Sequence, residues 1–122
     1  KVGNSAQTTF AVGADYAVLA STTVRASFNY AADYYADYDV TGRSVQGLPQ
    51  TWEMPDYGVF DLGLTHRFNF GGFNTQINAN VFNVLGTEYI SDAQDGDGSV
   101  AETALVYYGP GRTYTIGATI NF

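Results

Sequence analysis

Thr115-Ile116-Gly117-Ala118-Thr119-Ile120-Asn121-Phe122 is the stretch whose reading decides the fold. Side chains of an extended chain alternate between two faces. Ile116, Ala118, Ile120 and Phe122 therefore share one face, and Thr115, Gly117, Thr119 and Asn121 the other. Termini of soluble domains usually fray into water and seldom finish on a large apolar group. A strand with one greasy face, one small polar face and an aromatic at its end fits the wall of a membrane β-barrel. There, lipid-facing and lumen-facing residues alternate.

Working outward from that strand, the same pattern recurs. Tyr57–Phe70 places Phe60, Leu62, Leu64, His66, Phe68 and Phe70 on one face and Asp61, Gly63, Thr65, Arg67 and Asn69 on the other. Gly71-Gly72 is a two-residue hairpin turn. The strand after it carries Phe73, Thr75, Ile77, Ala79 and Val81 against Asn74, Gln76, Asn78, Asn80 and Phe82. A two-residue turn sets Phe70 opposite Phe73, Leu64 opposite Ala79 and Leu62 opposite Val81, so the apolar faces coincide. Further upstream, Thr8, Phe10, Val12, Ala14 and Tyr16 alternate with small or polar residues, as do Val24, Ala26, Phe28 and Tyr30. A hairpin about Ala20 pairs Tyr16 with Val24, Val12 with Phe28, and Asp15 with Arg25.

The linking segments alternate in length. Those near Ser21 and at Gly71-Gly72 are short. Residues 36–56, with Asp37, Asp39, Gly42, Gly47, Glu53 and Asp56, read as a long polar loop, and Thr87–Thr103 as a second. Leu105–Phe122 reads as one final strand interrupted by Gly109-Pro110-Gly111, for a total of five antiparallel strands. Outer-membrane barrels have short periplasmic turns and long extracellular loops. The short turns and Phe122 then fall on the periplasmic side and the long loops outside. Aromatic belts follow at the two interfaces, where amphipathic rings prefer to sit: Phe68, Phe70, Phe73 and Phe122 below, and Tyr30, Tyr34, Phe60, Tyr107 and Tyr108 above. The opposite face, with Thr23, Ser27, Asn29, Gln76, Asn78, Asn80, Thr115 and Thr119, suits a water-containing lumen. It also suits the solvent face of a soluble sheet.

Composition narrows the classes. Of 122 residues, 16% are aromatic, including ten Tyr and eight Phe, and only 14% are charged. A formal charge of -7 disfavours nucleic acid as a partner, since phosphate backbones need a basic surface. The absence of cysteine excludes a disulfide framework and thiolate metal sites. No apolar run approaches the ~20 residues of a membrane helix. Five strands are too few for a membrane barrel, the smallest having about eight. The expectation is a segment, residues 1–122, of a longer chain or of an oligomer, with missing N-terminal sequence favoured.

Several motifs also carry a resemblance. Asn80-Val81-Phe82-Asn83-Val84-Leu85-Gly86-Thr87-Glu88-Tyr89 resembles the N-V-F-N-L-L-D-T-x-Y stretch near the end of TonB-dependent outer-membrane receptors. Pro55-Asp56-Tyr57-Gly58-Val59-Phe60-Asp61-Leu62 is similar to the family's preceding P-x-Y-x-x-x-D-L segment. Tyr107 to Tyr114, through Arg112, resembles its G-R-T-aromatic opening of the last strand. The final eight residues resemble the outer-membrane assembly signal through Thr115, Gly117, Ile120 and Phe122. The likeness covers about the last 70 residues; Gly86 departs from the family's common Asp. The resemblance implies a parent barrel of roughly 22 strands with a lumen plug, in the outer membrane of a Gram-negative bacterium. Such receptors bind a scarce ligand outside and import it with energy passed through TonB. The plug and the TonB-contacting segment are N-terminal in the family and absent from these residues, so this segment alone transports nothing. Its partners would be outer-membrane lipid, the remaining strands and plug, and the barrel assembly machinery, met through the last strand.

No residue pattern points to catalysis. There is one histidine, His66, and no G-x-S-x-G motif. Gly109-Pro110-Gly111-Arg112 lacks the Gly-Lys-Ser/Thr ending of a phosphate loop and reads as a bend. Asp92, Asp95, Asp97 and Glu102 could hold Ca²⁺, but no Gly falls where an EF-hand requires it, and a solvated acidic loop is the reading adopted. No cofactor or metal is expected. Tyr34, Tyr35 and Trp52 are candidates for ligand contact in the outer loops, although belt anchoring accounts for the tyrosines equally. The alternative to the receptor reading is a small standalone β-barrel or a soluble β-sheet binding module.

Overall fold

The structure, a computed structural model, describes residues 3–38 and 50–122. The part of the expected outer loop around Asp39, Gly42 and Gly47 lies outside the described residues. The described chain is all-β and antiparallel. Its strands are β1 (Ser5–Leu19), β2 (Thr22–Tyr35), β3 (Glu53–Met54), β4 (Tyr57–Phe70), β5 (Phe73–Phe82), β6 (Ile90–Gln94), β7 (Leu105–Tyr108) and β8 (Thr113–Asn121). A single 3-10 turn covers Asp97–Ser99. Among the described residues no helix is long and apolar enough to cross a membrane, which says nothing about strands.

The main sheet runs in the order β1-β2-β4-β5-β8, with β3 paired to β2. These are the five long strands that the alternating pattern calls for. The β4–β5 hairpin has the expected register: Phe70 opposite Phe73, Leu64 opposite Ala79, Leu62 opposite Val81. Gly71 and Gly72 make the turn with φ of 57° and 89°, the left-handed region where a Cβ is penalised. β8 then pairs with β5, placing Ile120 opposite Thr75, Ala118 opposite Ile77, Ile116 opposite Ala79 and Tyr114 opposite Val81. The apolar face thus continues across β4, β5 and β8 without a slip. A one-residue slip would invert every side chain of β8.

Two expectations are corrected. Leu105–Phe122 is not one interrupted strand. β7 pairs with β6 in a separate two-stranded sheet, while β8 belongs to the main one. Pro110 between them lacks an N–H and holds φ near −65°, so it cannot continue a ladder. The stretch Thr87–Thr103 is likewise not all loop, because Ile90–Gln94 forms β6 opposite Leu105–Tyr108. Its five residues are too few to show a clear period-two signal beside the Asp- and Gly-rich segment that follows.

The chain divides into two units. The first comprises residues 1–10, 30–57 and 88–110. It holds a small core of Ala36, Met54 and Ala93, with Tyr34, Trp52, Ile90 and Val106 packed against it. Backbone bonds from Ala36 N to Trp52 O (3.0 Å) and from Asp37 N to Ala93 O (2.7 Å) tie its segments together. The second unit comprises residues 11–29, 58–87 and 111–122. Here large apolar side chains stand in the open: Val12, Tyr16, Val18, Leu62, Leu64, Phe70, Phe73, Tyr114, Ile116, Ile120 and Phe122. Ile116 is 82% exposed, so nothing within the unit covers this face.

The turn supplies a test of the register. Gly72→Val forces a β-branched residue into the left-handed region, at a cost of about 1–2 kcal/mol. The urea midpoint of the purified protein in detergent should fall accordingly, and Gly72→Asn should keep most of the stability.

Candidate functional site

Three groups of side chains bear on function: the last strand, the turn after β5, and the polar face of the sheet. In the last strand, Thr115 accepts a hydrogen bond from Asn80 Nδ2 through its Oγ1 at 3.2 Å. Gly117 lies opposite Asn78. Ile120 and Phe122 join Phe70, Phe73 and Thr75 around an open apolar groove of about 300 Å³. The aromatic end of the chain and the β4–β5 turn therefore come together, although about 50 residues separate them. β8 is exposed along its whole length, and among the described residues β5 is its sole main-sheet neighbour. Among the described residues, no strand pairs with the backbone N–H and C=O groups along its other edge.

The residues of the N-V-F-N segment have distinct structural places. Asn80, Val81 and Phe82 close β5. Val81 sits between Leu62 and Tyr114 of the two neighbouring strands, and Phe82 lies opposite Thr113. Asn83 is 2% exposed and adopts φ of 52°, a left-handed conformation that Asn tolerates better than most residues. Its amide clamps the following turn. Nδ2 donates to Thr87 O at 2.8 Å, and Oδ1 accepts from Thr87 N at 2.8 Å. Asn83 N donates to Asp61 Oδ1 at 2.8 Å, and Val84 N to Phe60 O at 2.7 Å. Gly86 turns with φ of 68°, and Arg112 Nη2 would lie 3.5 Å from a Cβ placed there. Asp61, Asn83 and Thr87, from two motifs, are thus bonded together, and Arg112 of a third reaches Gly86 in the same turn. Tyr89 belongs to the first unit, where it stacks on Tyr57 with ring centroids 4.3 Å apart. Its ring lies over Gly109, where an added Cβ would collide with it.

On the polar face the side chains bond mainly to one another. Arg25 makes a two-pronged contact to Asp15, at 2.7 and 3.0 Å, as the hairpin register requires. Thr65 Oγ1 donates to Asn78 Oδ1 at 3.0 Å and Arg67 Nε to Gln76 Oε1 at 2.9 Å. Arg67 and Gln76, with Phe68, Asn69, Asn74, Thr75 and Asn121, line an open groove of about 410 Å³. This face is polar and hydrogen-bonded, with no apolar packing demanded of it.

The aromatic residues assigned to belts take several environments. Phe70, Phe73, Tyr107 and Tyr108 are exposed. Phe68 stacks on His66 with centroids 5.5 Å apart, and His66 Nδ1 lies 2.8 Å from Thr22 Oγ1. Phe60 is half-buried beside the Asn83 turn. The Tyr30 hydroxyl donates to Asp56 Oδ2 at 2.8 Å. Tyr34 is half-buried, and its hydroxyl proton is shared between Ser91 O at 2.9 Å and Asn4 Oδ1 at 3.2 Å. Of the candidates for ligand contact, Tyr35 is 1% exposed and donates to Glu53 Oε2 at 2.9 Å, which removes it from that role. Trp52 packs on the Ala36–Met54–Ala93 core. That core went unread in the sequence. The only available signal was Met54 and Trp52 standing in an otherwise polar stretch.

Among the described residues no three His, Cys, Asp or Glu side chains converge on a point that could hold a metal ion. Comparison of the chain with protein-family models, with curated protein sequences and with solved structures finds no match.

The Asn83 clamp has a measurable weight. Asn83→Ala removes two hydrogen bonds and strands the Thr87 backbone groups, for a loss of about 2–4 kcal/mol in denaturant unfolding. Asn83→Asp keeps the acceptor and loses the donor, so its stability should fall between the two.

Proposed function

We propose that this chain is the C-terminal barrel portion of a TonB-dependent receptor in a bacterial outer membrane, ending in the strand that addresses the barrel for assembly. One observation carries the reading: a sheet whose registers keep one face apolar leaves that face uncovered and leaves both edge strands, β1 and β8, with a single main-sheet neighbour each among the described residues. In water such a face invites aggregation, and an unpaired edge templates foreign strands. In lipid the face is correctly solvated. There, open edges are not tolerated, because each unsatisfied backbone group costs several kcal/mol. Further strands must therefore complete the wall, and the receptor family supplies them in one chain.

Within that parent, the residues take defined roles. Ile116, Ala118 and Ile120 face lipid, and Thr115, Gly117 and Thr119 face the lumen. Phe122, with Phe70 and Phe73, anchors the periplasmic rim. The free edge of β8 offers the insertion machinery a strand to extend by backbone pairing. The small core of the first unit holds the outer segments in place. Ligand import belongs to the whole receptor with its plug and TonB contact, and not to this segment.

The test is the fate of the protein in cells. It should fractionate with the outer membrane, resist urea extraction and migrate differently before and after boiling. Phe122→Asp, or deletion of Phe122, should lower the heat-modifiable form several-fold. Recovery of the wild-type protein in the soluble fraction, or unchanged assembly of both variants, would contradict the proposal.

A further inference from the structure

Two glycines in the strands of the second unit lie under side chains of a neighbouring strand. Gly58 lies under the Phe28 ring of the neighbouring strand, whose Cζ would be 2.7 Å from an added Cβ. Gly63 lies under the Asn80 side chain, whose Oδ1 would be 2.8 Å away. Gly13 faces Ser27, with Cβ at 3.5 Å. A Cβ at Gly13 would make only ordinary contact, whereas Gly58 and Gly63 each give up a side chain where an adjacent strand lays one across them. That arrangement offsets the weakness of glycine in a strand. Gly117 differs: a Cβ there would meet nothing within 4 Å, and its φ is not in the left-handed region. Neither crowding nor backbone conformation within this chain accounts for a glycine in the middle of β8. Its position on the edge strand does, because the next strand would pair on that side.

We infer that the strand pairing with the free edge of β8 lays a large side chain across Gly117, as Asn80 does across Gly63. Gly117 shares its face with Thr115, Thr119 and Asn78, so the covering side chain is large and polar-ended: an amide, or a tyrosine. The occupant is thus a β-strand with such a residue on its lumen-facing row, and Gly117 is the notch that fixes its register against β8. The register matters because a slip of one residue would turn the incoming strand's apolar face away from lipid. The inference rests on the barrel reading above and adds to it the chemistry of the missing neighbour.

The test uses the whole protein in its native membrane. Gly117→Val should lower the heat-modifiable, assembled fraction by about ten-fold or more, the scale expected when bulk is forced into a packed contact. Thr119→Val, which alters the same face of the same strand without filling the notch, should assemble close to wild type. The chain has no cysteine, so single cysteines give a second readout that decides the matter if Gly117→Val fails to accumulate. In assembled molecules, Gly117→Cys should react with a water-soluble maleimide much more slowly than Thr115→Cys and Thr119→Cys. A wild-type protein that never reaches the outer membrane would overturn the barrel reading and this inference together. A wild type that assembles, with Gly117→Val matching it or Thr119→Val failing equally, overturns the inference alone. So does a cysteine at 117 that reacts as fast as its neighbours.

Discussion

The constraint on which the rest depends is that a sheet's backbone must be paired wherever water is absent. On the proposed reading, side-chain alternation decides which face would meet lipid, and pairing decides whether the wall could exist there. In this chain the two requirements are coupled through register. The Gly71-Gly72 turn sets β4 against β5, and β8 adds to β5 with the apolar residues of both, Phe82 apart, facing the same way. A single shift would expose Asn74, Gln76 and Asn78 where Ile77 and Ala79 now lie. The turn after β5 is tied by a side chain: Asn83 engages both backbone groups of Thr87, so neither is orphaned where the chain leaves the sheet.

The two units show two ways of handling apolar surface. The first buries Ala36, Met54 and Ala93 among its own segments and spends its tyrosine hydroxyls on internal acceptors. It needs no second solvent. The second presents Ile116, Leu64 and Phe122 outward, and its polar residues hydrogen-bond among themselves on the opposite face. That arrangement, one polar face and one uncovered apolar face, is what the proposed wall between lipid and a wet lumen would require. The same logic explains why Arg25 pairs with Asp15 on the polar face, where both charges remain largely exposed to solvent.

What could be read from residues alone was whatever is periodic. The five long strands, the Phe70–Phe73 pairing and the Asp15–Arg25 contact all follow from alternation and turn chemistry, because each strand is long enough to show its period. The shorter elements were not legible. Ile90–Gln94 has five residues beside an Asp- and Gly-rich loop, and its partner Leu105–Tyr108 reads as continuous with the last strand across Pro110. The sequence motifs identified Asn80, Asn83, Thr87 and Arg112 as a set without saying what joins them. The structure joins Asn83 to Thr87 by an amide clamp, with Asp61 on the Asn83 backbone, and this depends on a left-handed Asn83 that no periodicity reveals. The core around Met54 was hidden for the opposite reason: its residues come from three separated segments and share no pattern.

The central claim, that the apolar face of the main sheet lies in lipid, is open to one direct measurement. Single spin labels at consecutive positions of β5 and β8 report collision with oxygen, which concentrates in lipid, and with a water-soluble nickel chelate. Residues 75, 77, 79 and 81 of β5 and 116, 118 and 120 of β8 should favour oxygen. Residues 74, 76, 78 and 80 and residues 115, 117 and 119 should favour the chelate, out of phase along both strands. Equal access to the chelate at every position in membrane-bound protein would contradict the account.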